Sequence, residues 1–215
     1  MLSQYLKKSV GFDLVKIAFY SGGKDSVYTY LLEKPVDLLF FSIYSFPRPS
    51  PHIVNIGKAL EVAAALGVPV VAAPLPKGYE FTYKADLLKK LGASVLVAGD
   101  QAVEDHLAYM KRLADSVGAE LKEPLWGRDP REILLEEIRH MDFVVIGAVH
   151  EELICKAVNR ENVLEFLGLL ERLGVDPIGE RGEYHSQVVR VGDVRVEYRC
   201  GGVLDFGSYY IAKLL

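Results

Sequence analysis

A chain of 215 residues has room for one large domain, or for a medium one with a smaller companion, and half of its residues are hydrophobic, enough for a sizeable core. With 25 Lys and Arg against 29 Asp and Glu, the formal charge of −4 gives no overall electrostatic footprint for tRNA or DNA and leaves only a local basic patch open. No apolar run reaches the length of a membrane span, Met1–Lys8 lacks an apolar signal core, and the two cysteines, Cys155 and Cys200, form no Cys-x-x-Cys pair. The expectation is a soluble, cytoplasmic protein with no membrane or direct nucleic-acid partner, whose thiols are unpaired and structurally inert.

The first element is a strand over 15–19, apolar and rich in strand formers, followed by the turn Tyr20-Ser21-Gly22-Gly23-Lys24-Asp25-Ser26 and a helix that 27–32 continues. Gly22 and Gly23 let the backbone bend sharply and approach a ligand, and the first helical N–H groups are a natural anion site. Lys24 adds a positive charge, Ser21 and Ser26 add hydroxyls, and Asp25 offers a hard oxygen suited to Mg²⁺. Lys24 and Asp25 act on charge rather than packing, so removing either is expected to spare the fold. The pattern is neither Gly-x-x-x-x-Gly-Lys-Ser/Thr nor Gly-x-Gly-x-x-Gly.

A second strand over 36–43 is apolar almost throughout, which implies a parallel sheet covered on both faces. Pro47, Pro49 and Pro51 break the chain before a helix over 53–66; a strand at 68–73, a helix at 81–91, a strand at 94–98, a helix at 102–117 and a short strand at 120–122 follow. This alternation predicts a doubly wound, mainly parallel five-stranded α/β sheet over 1–123. Ligands of such sheets sit outside the carboxyl ends of the strands at the switch in strand order, so the loops after strands one, two and four should converge on one nucleotide. Its adenine is expected beside Ala18–Tyr20, Ser42–Tyr44 and His52.

From Glu123 the texture becomes turn-rich, Pro124-Leu125-Trp126-Gly127-Arg128-Asp129-Pro130, and a smaller α+β domain is expected over 124–215. Asp129 should cap a helix over 130–140; a strand over 143–149, a helix over 162–173 and two short strands at 187–190 and 195–198 come next. In an extended stretch Glu183 and His185 share a face with Tyr184 opposite, and a carboxylate with a histidine could order a metal or move protons. On residue types alone, a solvated Gly-Glu turn beside a core-packed histidine is the stronger alternative. His106, with Asp100 and Glu104, has no recognised metal-ligand spacing and reads as a solvated helix face.

Ser-Gly-Gly-Lys-Asp-Ser at 21–26 resembles the pyrophosphate-binding loop of the ATP pyrophosphatases (PP-loop proteins), which split ATP between the α and β phosphates. Gly179-Glu180-Arg181-Gly182-Glu183-Tyr184-His185-Ser186 resembles the Gly-Glu-x-Gly-Glu-x-His-Thr segment of the diphthine–ammonia ligases, with Ser186 in place of Thr; Gly99-Asp100, Pro124-Leu125-Trp126 and the pair His52 and Asn55 also sit where that family has similar residues. The Pro-rich segment before His52 and the stretch Val191–Cys200 depart from it. The resemblance implies an adenine nucleotide α-hydrolase-like fold and ATP-dependent amidation of diphthine on translation elongation factor 2, with free ammonia as donor and an acyl-adenylate on the way to AMP and pyrophosphate. It implies nucleotide contacts at Ser21, Gly22, Gly23, Lys24, Asp25, Ser26, His52, Gly99 and Asp100, with Mg²⁺ on Asp25. Catalysis falls to Lys24, Asp25, Glu183 and His185, and acceptor binding to Glu180, Glu183, His185 and Ser186. A homodimer is compatible with it. The alternatives are a PP-loop enzyme adenylating a tRNA base or another small substrate, and an ATP-binding module without catalysis.

Overall fold

The computed structural model describes residues 14–45 and 47–215; the expectation for Met1–Lys8 lies outside them. The first half alternates strand and helix as its apolar runs dictate: β1 Val15–Phe19, α1 Lys24–Glu33, β2 Leu38–Ile43, α2 Pro51–Val54, α3 Ile56–Ala65, β3 Val70–Pro74, α4 Glu80–Leu91, β4 Ala93–Val97, α5 Glu104–Val117 and β5 Glu120–Lys122. The five strands are all parallel, in the order β3-β2-β1-β4-β5. In β2 successive side chains leave on opposite faces: Leu39 and Phe41 pack with Val27 of α1 and Val62 of α3, while Leu38 and Phe40 pack with Leu88 of α4 and Leu113 of α5. Helices therefore cover both faces, the doubly wound arrangement. The switch in strand order lies between β1 and β4.

The second half contains α6 Pro130–His140, β6 Met141–Ala148, a 3₁₀ turn at Glu151–Leu153, β7 Ala157–Val158, α7 Val163–Leu173, β8 Tyr184–Val191, β9 Val194–Arg195, β10 Cys200–Asp205 and β11 Tyr210–Leu214. Asp129 caps α6 by accepting the Glu132 N–H at 2.9 Å. The sheet is antiparallel, ordered β10-β11-β6-β8-β9 with β7 on β6. The hydrophobic cluster beneath α1 and α3 continues into Ile133 and Ile138 of α6, Phe143 and Val145 of β6 and Phe166 of α7, so one core runs through both sheets.

Several expectations need correction. The helix over 53–66 is two helices, because Asn55, at φ −108° and ψ 20°, turns its buried side chain onto β11: Nδ2 donates to Pro51 O (2.9 Å) and Ala212 O (2.8 Å), and Oδ1 accepts the Leu214 N–H (2.7 Å). β7, β10 and β11 were not expected, and β8 begins at Tyr184 rather than at 187. Cys155 and Cys200 are joined in a disulfide, with Cα atoms 6.3 Å apart across 45 residues of chain. The spacing gave no sign of this because the sheet brings them together: Cys200 opens β10, and Cys155 donates its N–H to Val145 O of β6 (3.0 Å). Among the described residues no helix is long and apolar enough to cross a membrane.

Candidate functional site

At the carboxyl end of β1 the backbone turns through Gly22, where φ is +80° and an added Cβ would lie 2.5 Å from Ala59 Cβ, so only glycine fits both the backbone and the space. The two serines fasten the turn. Ser26 Oγ donates to Gly23 O (2.9 Å) and accepts the Ser21 N–H (3.2 Å), while Ser21 Oγ accepts the Gly23 N–H (3.2 Å). Gly23 is the N-cap of α1 and, lacking a side chain, caps none of the helix N–H groups itself. The first-turn N–H groups thus have no intrahelical acceptor and lie beside the switch point, where an anion gains from both donors and helix dipole.

The opposite wall is the segment from Ile178 to Ser186. Lys24 N–H donates to Ser186 Oγ (3.1 Å), Val188 N–H to Gly22 O (2.8 Å), and Gln101 N–H and Ala102 N–H to Glu180 Oε1 (2.9 and 3.2 Å). Between the walls lies a cleft of about 800 Å³. Of the residues expected at a nucleotide, Ser21, Gly23, Lys24, Asp25, Ser26, His52, Gly99 and Asp100 line it; so do Glu180, His185 and Ser186 from the acceptor set. Gly22 does not, being backed against Ala59. Tyr20, Ser42 and Tyr44, expected near adenine, also line it.

Glu183 is the exception. Its carboxylate turns back to accept the Arg181 N–H (3.0 Å), and it is not part of the cleft lining, whereas Tyr184 and His185 both are. The alternation of faces does not extend to Glu183 because Gly182, at φ +83°, turns the chain before β8 begins. Opposite, Val145 pairs with Ser186 and Gly147 with His185, so β6 carries one extra residue and twists locally.

Lys24 is buried where α1 meets the second lobe. Its ammonium is 1% exposed and donates to Asp25 (2.7 and 2.9 Å) and to Ile178 O (2.8 Å), with Glu137 at 4.0 Å and the Tyr184 ring 5.1 Å below. Burial alone would lower its pKa, but Asp25, Tyr184 and Glu137 outweigh it and hold the ammonium above its ordinary range. Glu137 is 0% exposed and both carboxyl oxygens are without a hydrogen-bond partner. Burial pushes its pKa well up, with Lys24 opposing. Sequence reasoning missed it, although Glu137 falls in the apolar stripe Ile133, Leu134, Ile138 of α6, where a charge is out of place.

His52 and His185 meet edge to face at 5.1 Å beside the turn; an added Cβ at Gly23 would lie 3.0 Å from His52 Cε1. Burial lowers both, His52 to about 3 and His185 to about 4, with Lys24 adding to the effect in each. They are neutral at physiological pH, and His52 Nδ1 is buried without a partner.

At the other end of the cleft Asp100, His106 and Glu180 bring their ligand atoms within 4.8 Å of one another. His106 stands exposed on α5, as expected of a solvated helix face, and the third member of the group is not its helix neighbour Glu104 but Glu180, from a distant segment. Asp25, the expected metal ligand, is not in this group. Burial raises the pKa of Asp100, of Glu180, and of the neighbouring Glu123, which reaches about 8 with Asp100 adding to the shift. A divalent cation would relieve this crowding of acids, and the oxygen-rich donor set with one imidazole suits such a guest. A second residue missed by sequence reasoning is Lys84, buried at this end beneath Phe19, Tyr44 and Tyr109.

Fold and site together define an open parallel α/β protein with a glycine turn and a helix N-terminus at its switch point and a second lobe closing the cleft. Comparison with protein-family models and with curated proteins gives no match to this chain.

Proposed function

We propose that the cleft binds Mg-ATP on an adenine nucleotide α-hydrolase-like lobe and that the protein is an AMP-forming ligase of the diphthine–ammonia ligase type, acting on translation elongation factor 2. The observation that carries this is the glycine-capped N-terminus of α1, reached through a serine-stapled turn, opening at the β1/β4 switch into a cleft of about 800 Å³. The orphaned His52 Nδ1 beside Gly23 supports it, because a buried polar atom without a partner is costly unless a ligand completes it.

A carboxylate does not readily lose hydroxide to ammonia, so ATP activates it first. In this proposal the acceptor oxygen attacks the α phosphorus, the bond to the β-phosphate oxygen breaks, and ammonia then displaces AMP. The turn and the first N–H groups of α1 hold the departing pyrophosphate, where preorganised donors act most strongly on developing charge. Neutral His52 and His185 offer hydrogen bonds without adding charge, and Ser186 orders the Lys24 backbone from the acceptor side. Magnesium would supply phosphate neutralisation, with Asp100 and Glu180 as its oxygen donors and Asp25 at hand. The test supplies diphthine-bearing elongation factor 2, Mg-ATP and ammonium to the full chain and looks for the amide by intact mass. An amide formed only with ATP supports the assignment; no amide despite bound nucleotide would overturn the acceptor, and no nucleotide binding would overturn the whole reading.

A further inference from the structure

Lys84 has no task in the chemistry above. It stands on α4 at 2% exposure, yet it lines the cleft. Its ammonium lies 4.9 Å from the Tyr109 ring, 5.0 Å from Tyr44 and 5.6 Å from Phe19, and donates to the Tyr44 hydroxyl. Among the described residues none of the ion pairs includes it. The acid that feels its charge, Asp100, is engaged with His106 at 3.3 Å.

An ammonium taken from water without an anion is expensive. Aromatic faces and one hydroxyl recover part of that cost, and each of the three N–H donors gains from a further acceptor. The geometry is a cation held in place before any ligand arrives, with its remaining approach from the cleft. Phe19 and Tyr20 leave β1 on opposite faces, and Lys84 lies with Phe19 whereas Tyr20 packs with α3 beside the glycine turn. The cleft therefore has two positive features, the N-terminus of α1 and Lys84, the second set on the aromatic side of the Asp100 group.

We propose that Lys84 is an anion-recognition residue, whose ammonium takes an oxyanion, a carboxylate or a phosphate, of a ligand bound at the aromatic pole of the cleft. The carboxylate arm of the following test needs no nucleotide, so its result stands apart from the fate of the ATP assignment. Binding of adenosine, a non-hydrolysable ATP analogue and butyrate is measured by calorimetry on the full chain, on Lys84→Met and on Lys90→Met, an exposed lysine of the same helix that controls for net charge. Lys84→Met should weaken at least one anionic probe tenfold or more, leave adenosine unchanged, and differ from Lys90→Met. Loss confined to butyrate assigns a carboxylate, and loss confined to the ATP analogue assigns a phosphate. Equal affinity for every anionic probe in wild type and Lys84→Met, including no measurable binding in either, overturns the proposal. Should Lys84→Met fail to fold, bromide soaked into wild-type crystals replaces it: an anomalous peak against Lys84 Nζ supports the site, and peaks elsewhere only overturn it.

Discussion

Lys24 is both a charge beside the glycine turn and a fastener between the two lobes. Its removal would strip Ile178 O and Asp25 of a donor and leave Glu137 buried beside nothing that opposes its isolation. Lys24→Ala should therefore cost about 3 kcal/mol or more of stability, as breaking a buried pair does, measured by urea unfolding; an unchanged midpoint would restore the simpler view of a residue acting on charge alone. The titrating residues bracket the stability profile. His52 and His185 have folded pKa values below the ordinary 6.5, so the unfolded chain binds more protons as pH falls, and stability is lost from about 6.5 down towards about 4 and about 3. Glu123 is raised from 4.5 to about 8, so the stability it contributes is full below 4.5 and lost as pH rises through about 8. Melts at pH 5, 7 and 9 should show both limbs, and Glu123→Gln, which cannot ionise, should flatten the alkaline one; an alkaline limb as steep as in the wild type would exclude Glu123 as its source.

The elements differ in how far they could be read in advance. Strands buried on both faces appear as unbroken apolar runs, and Leu38–Phe41 was legible for that reason. β10 was not: all six of its residues are exposed, two are glycines, and nothing alternates. The break at Asn55 was hidden because its cause lies 157 residues on, at Ala212. Asn55 is 2% exposed, and Asn55→Leu would leave the Leu214 N–H without its acceptor and take a side-chain donor from the carbonyls of Pro51 and Ala212. The expected loss is about 3 kcal/mol, read by chemical denaturation. The Cys155–Cys200 bridge ties β10 to the loop after β6 and closes 45 residues of chain. Reducing it should lower stability by about 2–4 kcal/mol, seen as a lower melting temperature in a thiol reductant, with no such response in Cys155→Ser. A melt indifferent to reductant would mean that the bridge adds nothing.

For the whole molecule, the lines of argument meet in the cleft. Its glycine-turn side was readable from six contiguous residues, because a glycine turn between strand and helix fixes where backbone donors point. The far side was not, since Glu180 reaches Gln101 across 79 residues and the Asp100–His106–Glu180 group exists only in three dimensions. Lys84 and Glu137 were visible in principle as charges inside apolar helix stripes, at positions shared with Phe81, Ala85 and Leu88 on α4 and with Ile133 and Ile138 on α6. The single hydrophobic cluster that joins the lobes holds the two walls in register. Phosphorus NMR of ATP turned over by the full chain with ammonium and diphthine-bearing elongation factor 2 tests the central claim most directly. The account predicts AMP and pyrophosphate rising together, and ADP with inorganic phosphate, or ATP left intact, would contradict it.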